Sequence, residues 1–375
     1  MNIIIGADIV PTKTNDDLFE VGNAEALMEN ELTHFLNTSD YRIFNLETPL
    51  TDTEAPISKN GPNLIASAKS VNGYKAIGVN LLTVANNHIM DQGEQGFFST
   101  LKLLKKNGID YVGAGENVRT AREPYVFEID NIKIGVYACA EHEFSIATEN
   151  MAGANPFEPL DSFDHICELK QKCDRVIVLY HGGKEHYRYP SPYLQKICRK
   201  FIEKGADIIV CQHSHCVGCE EKYLQGTIVY GQGNFIFDAQ DNEFWKTSLL
   251  ISVNEEFNIK YIPLIKKGNG VRFAKKNEAN NILEGFKKRS EQIKQAGFLE
   301  KKYAEFAKEN IYNYLLNISG IRYSFFMRVL NKISRGKFIV FFIKRKYKQN
   351  KVLKIINYMD CESHRELFLK GLESM

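Results

Sequence analysis

The 375-residue sequence has no apolar run near its basic C-terminal region longer than Phe338 to Ile343. A membrane-spanning helix needs about 20 such residues, so none is expected there. The N-terminal stretch "MNIIIGADIVPTK" has no basic n-region and only three consecutive isoleucines, which argues against a secretory signal. The eight cysteines are scattered rather than regularly spaced, so the expectation is reduced thiols in a cytoplasmic protein. Acidic residues are missing altogether between Ile311 and Met359, a stretch holding eleven Lys or Arg. Since the whole chain has a formal net charge of only +2, the remaining residues carry −9. That asymmetry suggests that the C-terminal region meets something the main body does not.

The rest of the composition, 44% hydrophobic and 25% charged, is that of a soluble globular protein. A chain this long buries roughly three quarters of its unfolded surface and needs neither disulfide nor structural metal to fold.

Several short β-branched runs end abruptly in polar sequence. "NIIIGAD" reaches Asp8, "YRIFNLE" reaches Asn45 and Glu47, and "LLTVANNH" reaches Asn86, Asn87 and His88. "RVIVLYHGG" reaches His181, "DIIVCQHSH" reaches His213 and His215, and "TIVYGQGNF" reaches Gln232 and Asn234. Phe97, Leu101 and Leu104 recur at helical spacing between Gly93 and Asn107-Gly108. Ser191-Pro192 opens a second helix as N-cap and first-turn proline, and Gly205 closes it. The alternation predicts an α/β domain, in which ligands gather beyond the carboxyl ends of strands. Turns favour Asn and Asp anyway, but six polar strand ends, three with histidine, point to a metal centre. His213 and His215 lie two apart, which in extended backbone puts both side chains on one side.

These landmarks resemble the CapA family of capsule and poly-γ-glutamate biosynthesis proteins, within the calcineurin-like metallophosphoesterase superfamily. They are Gly6-Ala7-Asp8, Asn45-Leu46-Glu47, Ala85-Asn86-Asn87-His88 with Asp91-Gln92-Gly93, His181-Gly182-Gly183, Gly205-Ala206-Asp207, Gln212-His213-Ser214-His215 and Gly233-Asn234-Phe235. They stand in the family's order over about residues 1 to 240. The resemblance implies a four-layer α-β-β-α sandwich (residues 1–270), and the highly charged sequence from about Asn277 onward reads as a helical, basic appendage (residues 271–375). It also implies one or two divalent ions of manganese, zinc or iron. By position Asp8 and His215 would hold one ion, Asn87, His181 and His213 the other, and Glu47 would bridge them. His88, oriented by Asp91, takes the place of the proton donor to the leaving group. Three positions depart from the pattern: Val10 replaces a histidine, Ile89 an acid, and Glu47 an aspartate.

Beside the metal loops, "HGGKEHYRYP" offers Lys184, Glu185, His186 and Arg188, with Asn234 near by, for an anionic polymer or phosphoester substrate. Ordinary solvated loops are the equal alternative. Cys211 reads as buried strand and Cys216 and Cys219 as loop packing, because no partner CxxC completes a zinc site. The basic region 322–354 suits either packing on the main domain or peripheral contact with the inner face of a membrane. No aromatic-interleaved RNA module is present, and no nucleic-acid partner is expected. Two functions stay open: a metal-dependent hydrolase, favoured by His88 and the loop histidines, and a non-catalytic scaffold of a polymer-synthesis or export complex, favoured by Val10.

Overall fold

Each of the apolar runs forms a strand. The computed structural model describes residues 1–237, 242–320 and 325–374, in two compact units, Met1–Leu299 and Glu300–Met375. In the first unit, one sheet holds β1 (Asn2–Val10), β2 (Tyr41–Leu46), β3 (Leu81–Thr83), β4 (Asp110–Val112), β13 (Asn234–Phe237), β14 (Thr247–Asn254), β15 (Ile259–Lys267) and β16 (Gly270–Phe273). Its order is β16-β15-β14-β1-β2-β3-β4, with β13 also paired to β1. The second sheet, ordered β11-β12-β10-β9-β7-β6, holds β6 (Tyr125–Ile129), β7 (Ile132–Ala140), β9 (Arg175–His181), β10 (Ile208–Gln212), β11 (Val217–Tyr223) and β12 (Gly226–Gln232). A two-stranded ribbon, β5 (Ala114–Gly115) with β8 (Gly153–Ala154), accompanies them.

Period-two patterning sorts the second sheet into faces. Val176, Val178 and Tyr180 of β9 pack with Ile166, Leu194 and Phe201 of the covering helices Ser162–Lys172 and Pro192–Glu203. Ile177 and Leu179 join the core shared with Ile3, Ile43 and Leu81 of the first sheet. The result is a four-layer α-β-β-α sandwich. His181 continues the series 177, 179 and so faces the other sheet. β1 to β4 run parallel, as do β7, β9, β10 and β12, so their carboxyl ends deliver polar residues from both sheets. The helices expected after Gly93 and Pro192 are Gly93–Lys106 and Pro192–Glu203, and Ser191 Oγ accepts from the Leu194 amide.

The domain boundary lies at residues 299/300 rather than 270/271, because helix Lys276–Gln292 belongs to the main core. It buries Ile282 and Phe286. Arg289 donates to the carbonyls of Gly218 (2.7 Å) and Val217 (3.1 Å), and Ser290 Oγ accepts from the Glu220 amide (2.8 Å). Its charge-rich sequence concealed these contacts. Phe286→Ala is therefore expected to cost about 3–5 kcal/mol in urea unfolding of the main unit. A chain ending at residue 270 should be less stable than one ending at 299 by at least as much.

The second unit is helical, comprising most of Phe298–Ile318 with Phe325–Ile333, Lys337–Lys346, Gln349–Asp360 and Glu362–Glu373. Leu316, Ile339 and Ile343 form its small core. No helix among the described residues is long and apolar enough to cross a membrane. Residues 322–324 of the basic stretch lie outside the described residues.

Candidate metal centre

Asp8 stands between two irregularities in the pairing of β1, one before it against β2 and one after it against β13. Bulges of this kind turn a side chain out of its regular direction. Gly6 leaves room for the Phe44 ring, which a Cβ there would approach to 2.0 Å. Gln232 Nε2 donates to the Ile5 carbonyl (2.9 Å) and Gln212 Nε2 to the Gly6 carbonyl (3.1 Å), so side chains of the second sheet satisfy carbonyls beside the bulge. Asp8 is fully buried; Oδ1 accepts from Asn45 Nδ2 (2.8 Å), while Oδ2 has no hydrogen-bond donor and lies 3.5 Å from His215 Nδ1.

Glu47, at the end of β2, is also fully buried, and neither carboxylate oxygen accepts a hydrogen bond. Burying a carboxylate without donors is costly unless a cation stands against it. Around His181 Nε2 lie Asn87 Oδ1 at 3.0 Å, His213 Nδ1 at 3.2 Å and Glu47 Oε1 at 3.3 Å. A single ring proton satisfies one of these at most. Two donor triads result, Glu47–His181–His213 and Asp8–Glu47–His215, each with its donor atoms within 4.8 Å of one another. Glu47 belongs to both. The mixture of imidazole nitrogen and carboxylate oxygen suits a borderline divalent cation, and the donorless oxygens, both of Glu47 and Oδ2 of Asp8, fit one electrostatically.

The two loop histidines differ. Burial and the neighbouring imidazoles of His181, His215 and His88 hold His213 well below the ordinary histidine pKa, so it is a neutral ligand-competent imidazole. Burial opposes the charge on His215 as well, but Glu47 and Asp8 outweigh it and push the pKa up to about 9. A cation bound beside His215 competes with that proton.

The loop holding these two histidines departs from the extended backbone expected of it. β10 stops at Gln212, and both His213 (φ 83°) and His215 (φ 52°) adopt the left-handed region. Non-glycine residues there are uncommon and concentrate at functional sites. The turn sends the pair into different triads rather than side by side. Asn234 at the start of β13 accepts from His215 Nδ1 through Oδ1 (2.8 Å), which places it behind a metal-type ligand.

Next to the triads, His88 Nδ1 lies 2.6 Å from Asp91 Oδ2, an oxygen that also accepts from the Leu64 amide (2.6 Å). Asp91 is fully buried. Lys59 supplies its counter-charge by bonding Oδ1, and its Nζ lies 3.3 Å from His88 Nδ1. Ser145 Oγ donates to the Asn87 carbonyl (2.8 Å) and accepts from the Met90 amide (3.2 Å), fixing the loop that carries Asn87 and His88. Val10 is buried in β1 opposite Phe237, and Ile89 is fully buried.

The residues assigned to substrate are dispersed in role. Lys184 and Glu185 are exposed. His186 Nε2 accepts from the Trp245 indole N–H (2.8 Å), its ring stacks on Phe244, and burial lowers its pKa. Arg188 donates to the Val217 carbonyl (2.9 Å), lies over the Phe244 ring and sits 3.7 Å from Glu243. His186 and Arg188 thus brace the segment that sets Trp245 against His215, with ring centroids 4.7 Å apart.

Nothing in the sequence marks Lys59 and Trp245, since each is remote in sequence from the group it serves and lies in no periodic pattern. Cys219 is strand rather than loop, buried within β11, and Cys216 precedes that strand. Burial pushes both thiols up, and neither belongs to a donor triad among the described residues.

The layer order, the strand ends meeting from two sheets and the carboxylate shared between two donor triads define a metallophosphoesterase-like architecture. The model of the family described as bacterial capsule synthesis protein PGA_cap matches residues 4–239, and the chain belongs to that family. It is 33% identical over 213 residues to the capsule biosynthesis protein CapA of Bacillus anthracis, covering 54% of this chain and 52% of that protein. To the PGA biosynthesis protein CapA of Bacillus subtilis it is 31% identical over 204 residues, covering 53% and 54%. The matches therefore span about half the length of these relatives. Similar solved structures include the Haemophilus influenzae NAD nucleotidase (15% identity, TM-score 0.44, 82% of this chain and 67% of that one) and a Mycoplasma pneumoniae phosphatase (17%, 0.44, 71% and 93%).

Proposed function

We propose that the chain is a metal-dependent hydrolase of capsule or poly-γ-glutamate biosynthesis, acting on a phosphoester or a linkage of the polymer. The observation that carries this is Glu47, a buried carboxylate with no donor to either oxygen, held between two histidine-containing triads. Asp8, Glu47 and His215 would hold one divalent ion of manganese, zinc or iron, and Glu47, Asn87, His181 and His213 a second. Such an ion supplies Lewis acidity and lowers the pKa of coordinated water to about 7. The chain's own contribution is positioning. Asn45 and Asn234 fix Asp8 and His215, and the Ser145 contacts fix the Asn87–His88 loop. Asp91 accepts from His88 Nδ1, leaving Nε2 as the nitrogen that passes a proton to a departing oxygen or nitrogen.

The rival reading, a metal-binding scaffold of a polymer-synthesis complex, is favoured by one observation: the aliphatic Val10 stands where the resemblance calls for a histidine.

Elemental analysis of the full chain, purified without chelators or a metal-binding tag, tests the centre. Stoichiometric divalent metal is expected in wild type and in Cys216→Ala/Cys219→Ala, and loss of it in His213→Ala/His215→Ala. The metal-loaded chain is then expected to hydrolyse an aryl phosphodiester or monoester. Metal lost only in the cysteine variant would place the ion elsewhere. A loaded chain inert toward phosphoesters and polymer alike would leave the scaffold.

A further inference from the structure

Exposed apolar side chains are concentrated in the helical unit. Fourteen of the large exposed hydrophobic residues lie between Ile311 and Leu372, against nine in residues 1–299, among the described residues. Ile333 is 74% exposed and Phe341 66%, and Leu353 and Ile356 protrude similarly. On Lys337–Lys346 the division is by face. Ile339 and Ile343 point into the small core, while Phe341 stands in solvent among Lys337, Lys344 and Arg345.

The charges in this region are as one-sided as its sequence. Among the described residues, Lys332, Arg335, Lys337, Lys344, Arg345 and Lys348 form no ion pair with any carboxylate, and all are exposed. Unpaired cations beside protruding aliphatic groups are poor design for a surface that meets only water. They are the two components that an anionic bilayer surface takes up, phosphate to the cations and acyl chains to the apolar tips. Single-stranded nucleic acid would require aromatic platforms for base stacking. From Val329 to Met359 the protruding groups are mainly aliphatic, Phe341 and Tyr358 excepted.

We infer that helices Phe325–Ile333, Lys337–Lys346 and Gln349–Asp360 form a docking surface for anionic lipid, on which the protein lies peripherally without spanning. The inference is independent of the hydrolase reading. It would hold the metal-binding domain to a membrane whether or not that domain cleaves anything.

Vesicle flotation of the full chain tests it. Strong binding is expected to phosphatidylcholine vesicles containing about 30% phosphatidylglycerol, at least tenfold above binding to pure phosphatidylcholine, because each cation near such a surface contributes about fivefold in partitioning. Binding should largely vanish in about 1 M salt, where the Debye length is about 3 Å. The variant Lys337→Gln/Lys344→Gln/Arg345→Gln/Lys348→Gln should lose about a hundredfold or more on the anionic vesicles. Ile333→Ser/Phe341→Ser, with every charge intact, should lose about tenfold through its apolar share. Circular dichroism verifies that both variants retain their helices. Equal binding to neutral vesicles, or insensitivity to the charge variant, would overturn the inference. So would absence of vesicle binding, whether accompanied by concentration-dependent self-association, by retention on single-stranded RNA, or by neither.

Discussion

Glu47→Gln is expected to strip metal from the chain while making the metal-free protein more stable. The substitution is nearly isosteric but removes the one negative charge common to both donor triads. Loss of a shared anionic ligand should weaken binding at least about 100-fold, beyond the 10–100-fold typical of removing a group that merely supports a ligand. Elemental analysis should find both positions depleted, because neither triad keeps its carboxylate from β2. Without metal the sign reverses. Glu47 is then a buried carboxylate whose oxygens accept no hydrogen bond; Glu47 and Asp8 together hold His215 protonated in the wild type, and Asp8 remains its partner when Glu47 is neutralised. Removing the surplus charge should stabilise the apo form by about 1–3 kcal/mol. Thermal melting in chelator, compared between variant and wild type, reads that gain directly. Wild-type metal content in Glu47→Gln would show that the shared ligand is another group. A lower melting temperature in chelator would show that Glu47 is already compensated.

His88→Ala is expected to leave metal content unchanged and to reduce phosphoester turnover by about 10²–10⁴-fold, the usual contribution of a positioned acid. Neither donor triad found among the described residues includes His88, so its loss should spare the ions. Its ring is held through Nδ1 by Asp91, whose other oxygen bonds Lys59. Asp91→Asn should therefore produce a smaller loss of turnover, through a misplaced or wrongly tautomeric ring. Lys59→Met removes the counter-charge of a fully buried carboxylate and should destabilise the fold by about 3–5 kcal/mol as well as slowing turnover. If polymer production in the host survives His88→Ala while depending on the metal ligands, the centre serves as a scaffold and the hydrolase reading is wrong.

Much of this site is visible in one dimension because strands impose a short period. A run such as "RVIVLYH" shows both its alternation and its polar end, and parity assigns His181 to the face of Ile177 and Leu179. The histidine pair is equally plain in the sequence, but its backbone is not extended. The loop turns through two left-handed residues, a conformation that spacing does not encode. The composition of helix Lys276–Gln292 is dominated by its charged exterior and resembles that of the C-terminal helices. Three contacts on its inner side, from Phe286, Arg289 and Ser290, tie it to the main core instead. Lys59 and Trp245 carry no periodic signal at all. Each matters through one atom placed by a loop.

The sequence by itself determined which donors stand at strand ends and which stretch is free of acids, since composition and period-two alternation are local properties. Only the tertiary structure decided which carboxylate is shared, which histidine stays neutral and which keeps a proton. Those outcomes depend on electrostatics over a few ångströms between groups that include pairs as far apart in sequence as Asp8 and His215. Their separation in space is set by a bulge in β1 and by the stacking of two sheets.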